Sequence, residues 1–116
     1  MTFDVEIVLR DHINAITRRI EQPGEPRQWT EPDVAAVLRE ILLAIDRAKN
    51  PGTAERHVAL RGFSWIVEPA SGGVVIAIEI PTGAAVAGPF DIEQPVLDRL
   101  ITRAIEAAAP ARPVVH

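Results

Sequence analysis

The sequence contains no cysteine and no tyrosine, and its aromatic residues are two tryptophans and three phenylalanines in 116 residues. The absence of cysteine excludes disulfide bonds, thiolate catalysis and cysteine-ligated zinc or iron–sulfur centres, and it fits a reducing compartment. Because aromatics are scarce, the core must be built from Ile, Val, Leu and Ala. The position of each aromatic residue is therefore unusually informative.

Long hydrophobic runs and concentrated basic charge are also absent. The apolar runs are far shorter than the ~20 residues that span a bilayer, and residues 1–6 are acidic where a signal peptide is basic. The net charge is −4, with acidic and basic residues mixed along the chain, so the basic face that phosphate-backbone binding requires is missing. We expect a cytoplasmic protein that binds neither membranes nor nucleic acid.

No arrangement of side chains predicts a catalytic or cofactor site. The three histidines, His12, His57 and His116, lack the spacing of metal ligands. The sequence has no Walker loop, dinucleotide fingerprint or nucleophile elbow. We therefore expect no cofactor, no metal and no catalytic residue, which favours a protein that is not an enzyme.

The strongest structural signal is the β-branched run over residues 74–80, which is bounded by Gly72-Gly73 and by Pro81-Thr82-Gly83. Strand candidates flank it at about 57–68 and 84–90. These segments predict a three-stranded antiparallel meander with strand order 1-2-3.

A first helix is predicted over residues 3–21, whose apolar residues recur at helical spacing. The stripe consists of Val5, Leu9, Ile13, Ile16 and Ile20. A strand over residues 2–9 is the alternative, because Phe3, Val5, Ile7 and Leu9 alternate with other residues. We favour the helix because its stripe continues to Ile20, and the strand over residues 2–9 remains the alternative.

Two further helices have clear start signals. Thr30 and Asp33 fit a capping box, Trp29 and Val34 have the spacing of a hydrophobic staple, and residues 50–52, Asn-Pro-Gly, end this helix at about residue 49. The last helix starts with Asp91 as its cap and Gln94 three residues later.

The predicted order α-α-β-β-β-α places the chain among α+β folds, with helices packed mainly on one face of the sheet. Residues 1–109 are expected to form a single domain, and residues 110–116 a flexible tail.

Hairpin turns over residues 70–72 and 81–83 would set the register of the meander. In that register Ile66 faces Ile76, and Ile78 faces Val86, so alternation sorts the side chains onto two surfaces. The predicted core surface holds Leu60, Ile66, Val74, Ile76, Ile78, Ile80, Val86 and Phe90. The second surface holds Arg61, Phe63, Trp65, Val67, Val75, Ala77, Glu79, Ala85 and Ala87.

The second surface is too apolar to face water in a monomer. One explanation is a partner surface, most simply a homodimer joined through Phe63 and Trp65, or another protein bound there. Another is a shallow ligand groove walled by the same two aromatics. The third is a structural cover supplied by the first helix or the tail. We favour the partner surface, and hence a non-catalytic interaction module.

Arg61 and Glu79 are diagonal neighbours in this register and can form a cross-strand ion pair. Glu79 is also the one charge in an apolar strand, so it can act as a general base or as a polar group of a ligand pocket. The ion pair is the simpler interpretation. The alternative function is thus a small-molecule binder or enzyme that uses Glu79 and Arg61.

Overall fold

The computed structural model describes residues 1–52 and 58–109. They form a five-stranded antiparallel sheet with two helices against one of its faces. The elements in chain order are β1 (Thr2–Leu9), β2 (Ile16–Glu21), a short 3-10 turn (Pro26–Gln28), α1 (Glu31–Lys49), β3 (Ser64–Ala70), β4 (Gly73–Ile80), β5 (Gly83–Phe90) and α2 (Gln94–Ala108). The strand order across the sheet is β2-β1-β5-β4-β3.

The α+β class and the antiparallel sheet are confirmed, but the predicted element order is wrong at its start. Residues 3–21 form a hairpin of two strands and not a helix. The strand over residues 2–9, kept as the alternative, is the structure observed, and burial alternates along β1 without exception. Ile13 shows why the helical stripe misleads, because it is fully exposed in the loop between β1 and β2.

The hairpin joins the predicted meander through β1, which pairs with β5. Within the described residues the sheet therefore has five strands, where the sequence predicts three. The first helix cannot cover the sheet, since it does not exist. The tail at 110–116, and the start of the first predicted strand at His57, lie outside the described residues.

The core lies between the sheet and the helices. Alpha-1 packs over β1, β5 and β2, and α2 packs over β3 and against α1. An aromatic cluster lies at one end of this core, where the Phe90 ring makes edge contacts with Phe3 and Trp29 at centroid distances of 5.0 and 5.1 Å. Three of the five aromatics are thus concentrated where the chain crosses from β5 towards α2.

The predicted start of α1 is confirmed. The Thr30 backbone N–H and hydroxyl donate hydrogen bonds to Asp33 Oδ2 at 2.8 and 2.9 Å, and Trp29 and Val34 are both buried.

The predicted cap of the last helix is wrong. Alpha-2 begins at Gln94 after Glu93, while Asp91 forms an ion pair with Arg27 at 3.1 Å.

Replacing Asp33 with alanine is expected to lower the free energy of unfolding by about 1 kcal/mol, because the helix start loses its acceptor for the Thr30 amide. Urea denaturation followed by circular dichroism measures the change. Arg39→Ala, on the exposed side of the same helix, is the control and should change stability by less than ~0.5 kcal/mol.

Candidate functional site

The observed register differs by one residue from the predicted register in both hairpins. Ala70 pairs with Gly73 and Ile80 pairs with Gly83, so each turn has two residues and not three. Ile66 consequently faces Ala77, and Ile78 faces Ala85. Because strand side chains alternate with period two, this one-residue difference moves every β3 and β5 side chain to the other face relative to β4.

A β-bulge restores Phe90 to the core. Val74 pairs with Phe90 while Ile76 pairs with Ala87, so two residues of β5, Gly88 and Pro89, lie opposite Val75. Alternation alone would point Phe90 away from the helices once Ala87 points toward them. The extra residue reverses that, and Phe90 is completely buried.

The nine residues predicted to share one surface occupy three places. Val67, Ala85 and Ala87 are buried beneath the helices. Arg61, Phe63 and Trp65 line a groove beside the C-terminal end of α2. Val75, Ala77 and Glu79 remain on the face of the sheet that points away from the helices. The single predicted surface is wrong, and its members belong to the core and to two separate sites.

We call the side of the sheet opposite the helices the open face. Its centre is apolar and continuous across four strands, since Val8 pairs with Ala84 of β5, Val86 of β5 pairs with Ala77, and Ala77 pairs with Ile66. Val8, Ile66 and Val86 are 48%, 51% and 45% exposed. The apolar residues of the open face are Val8, Ile66, Val75, Ala77, Ala84 and Val86.

Sequence reasoning assigned Ile66 and Val86 to the core and missed Val8 and Ala84. The position of Val8 on the open face follows from the alternation that supported the strand alternative over residues 2–9. The faces on which Ile66 and Val86 lie depend on the lengths of the two turns. The sequence offered a signal at the first of these turns, because glycine favours a two-residue hairpin loop, and in the structure Gly72 has φ of +90°.

Acidic residues surround the apolar centre of the open face. Its charged strand residues are Asp4, Glu6, Arg19, Glu21, Glu68 and Glu79. Five carboxylates and one guanidinium give these strand residues a net charge of −4, and the Arg19 guanidinium is paired with Asp4 at 3.2 Å. Arg10, directly after β1, borders the same face beside Val8 and Glu79 and reduces the net charge to −3. The whole sequence has a net charge of −4, so most of its net negative charge lies on the open face.

The groove is the second candidate site. It has a volume of about 470 Å³ and lies between residues 59–63, the start of β3 and the last turns of α2. Phe63 and Trp65 are half-buried in its wall. A concave site walled by these two aromatics is what the ligand hypothesis expected, although it lies on the helix side of the sheet.

Arg61 and Glu79 are not brought together. Glu79 belongs to the open face, whereas Arg61 is in the segment before β3 that lines the groove. Within the described ranges the two side chains form no ion pair with each other. The predicted cross-strand pair is therefore wrong, and the groove is lined by Arg61 but not by Glu79.

Among the residues described, no cluster of three or more His, Cys, Asp or Glu side chains could hold a metal ion. Across the same residues, no helix is long and apolar enough to cross a membrane. Comparison of the chain with protein-family models, curated proteins and solved structures gives no match.

Proposed function

We propose that the protein is a non-catalytic interaction module that associates with a second copy of itself through the open face. One observation carries the proposal, namely the continuous apolar centre on the sheet face opposite the helices. Apolar residues at three positions of that centre are about half exposed. Contiguous exposed apolar surface framed by polar residues is typical of protein interfaces.

The edges of the sheet are poorly suited to binding a partner. The Gln94 side chain donates a hydrogen bond to the Val67 carbonyl of edge strand β3 at 2.7 Å, and Pro69 in the same strand has no N–H. Edge strand β2 carries Arg18, Arg19 and Glu21 in six residues. Charges, proline and occupied backbone groups are features that prevent strand addition, so we place the contact on the face.

The area of the open face suits a weak dimer. With strands ~4.8 Å apart and residues ~3.3 Å apart, five strands of at most eight residues cover roughly 600 Å². Two copies would then bury roughly 1,200 Å² in total, the lower end of the range for specific interfaces.

Charge opposes the apolar contribution in such a dimer. Face-to-face packing brings two surfaces of net negative charge together, and like charges across an interface weaken binding. Salt shortens the screening length from ~10 Å at 0.1 M to ~3 Å at 1 M. Self-association should therefore strengthen as salt rises, because the repulsion is screened while the apolar contact remains.

The test is sedimentation equilibrium at 0.05 and 0.5 M NaCl. We expect the dimer dissociation constant to fall at least tenfold at the higher salt. Ala77→Glu, at the centre of the open face, should raise it at least tenfold at 0.5 M NaCl. Ala107→Glu adds the same charge on exposed helix surface and should have little effect. A wild-type chain that stays monomeric at millimolar concentration in both salts overturns the proposal.

The acidic rim favours a second candidate, a different protein whose apolar patch is framed by Lys and Arg. Opposite charges attract at such an interface and accelerate association. This complex has the opposite salt dependence from the homodimer, since screening weakens it. A monomeric protein, with a partner whose affinity falls as NaCl rises and is lost in Ala77→Glu, would favour this candidate.

A further inference from the structure

The groove beside α2 is separate from the open face and has its own chemistry. Its walls come from three parts of the fold: Leu60 and Phe63 from the segment before β3, Trp65 from the edge strand, and Ile105 and Ala108 from α2. Leu60 is buried, and Phe63, Trp65 and Ile105 pack against the core from half-buried positions. These contacts hold the aromatic walls in place.

The size and lining of the groove suit a small organic molecule. Its volume of about 470 Å³ lies within the ~300–1,000 Å³ typical of ligand sites, which are mainly apolar with a few polar groups. An apolar ligand body would remove the faces of Phe63 and Trp65 from water. That burial is favourable by ~25 cal/mol per Å².

Arg61 is the charged side chain in the groove lining. It is exposed, and no carboxylate in the described part of the chain forms an ion pair with it. A guanidinium presents a planar set of N–H donors that matches a carboxylate in a two-point hydrogen bond. An arginine at the rim of an apolar groove, with no carboxylate partner among the described residues, therefore favours a ligand with a carboxylate head.

The C-terminal end of α2 favours a positively charged ligand, which opposes the preference set by Arg61. Ala108 and Ala109 line the groove, and a helix C-terminus carries about half a negative charge, which favours a cation. The last turn of α2 has no basic side chain of its own. Glu106, in the same turn, is exposed and does not line the groove. Arg61 carries the full charge of the groove lining, so we expect the groove to prefer an anion.

From these observations we propose that the groove binds a small amphipathic carboxylate, with its apolar body between Phe63 and Trp65 and its carboxylate on Arg61. The site is independent of the proposed function, because its residues lie on the helix side of the sheet.

The experiment titrates the full chain with decanoate, decylammonium and 1-decanol, each below its micelle or solubility limit. Tryptophan fluorescence is one readout, since Trp65 lines the groove while Trp29 is only 6% exposed. Amide NMR shifts of Gly62, Phe63 and Ala108 are the other. We expect decanoate to bind most tightly and to shift both signals.

Arg61→Gln should weaken decanoate binding about tenfold and leave 1-decanol binding unchanged. Arg103→Gln removes an exposed arginine of α2 that does not line the groove and is the matched control. Ala77→Glu, on the open face, should leave decanoate binding unchanged as well. Equal or tighter binding of decylammonium, an unaffected Arg61→Gln variant, or no shift in either readout overturns the proposal.

Discussion

Ala87→Glu is expected to lower the free energy of unfolding by at least about 3–5 kcal/mol, the range for leaving a charge buried without a partner. Ala87 is completely buried and lies between Val5 of β1 and Ile76 of β4 beneath the helices. Domains of this size are stable by ~5–15 kcal/mol. The variant should therefore be largely unfolded or melt far below the wild type, which urea denaturation followed by circular dichroism would show.

Ala77→Glu is the matched comparison, because it makes the same chemical change on the opposite face. Ala77 pairs with Val86 and Ile66 on the open face, where the new carboxylate stays in water. We expect a change in stability within ~1 kcal/mol. The predicted register put both alanines on one surface, so equal destabilisation by the two substitutions would contradict the observed assignment of faces.

The sequence predicted well those elements whose signals are local. Alpha-1 has its cap, its apolar stripe and its stop within about twenty residues, and the structure confirms its limits. The central strand β4 was placed within one residue, since Gly72-Gly73 and Pro81 bound a β-branched run. Signals of this kind depend on neighbouring residues, so no tertiary information is needed to interpret them.

The N-terminal hairpin was missed because two periodicities coincide there. Val5 and Leu9 fit both a helical stripe and strand alternation, and Ile16 and Ile20 continue the apolar residues at helical spacing. Pairing of β1 with β5 decides between them, and that contact joins residues some eighty positions apart. Tertiary pairing of this kind overrides local pattern and cannot be obtained from a short window.

The prediction of the candidate site was more sensitive than the prediction of the fold to small errors in turn length. A difference of one residue in each turn left the meander intact but exchanged the faces of β3 and β5. Trp65 and Val67 thereby moved from the supposed open surface to the helix side, and Ile66 and Val86 moved onto the open face. The partner-surface hypothesis therefore applies to the open face, and the ligand hypothesis applies to the groove beside α2.

Gly73→Ala is the second substitution with a large expected effect. A Cβ atom at this position would overlap the Phe90 carbonyl oxygen and lie 2.7 Å from the Phe90 carbonyl carbon. Gly73 also has φ of +143°, a conformation that residues with a side chain rarely adopt. The backbone atoms of β5 cannot yield without moving Phe90, whose ring contacts Phe3 and Trp29.

We expect Gly73→Ala to lower the free energy of unfolding by about 3 kcal/mol or more, combining conformational strain with lost core packing. Gly52→Ala is the control, since Gly52 has φ of +84° but, apart from its chain neighbours, no atom of the described residues lies within 4 Å of the added Cβ, and strain alone costs ~1–2 kcal/mol. Urea denaturation of both variants measures the difference. Equal losses would show that the approach of β4 to Phe90 is not tight. A larger loss in Gly73→Ala is the expected result, because the strain at φ of +143° and the close approach to Phe90 both contribute to it.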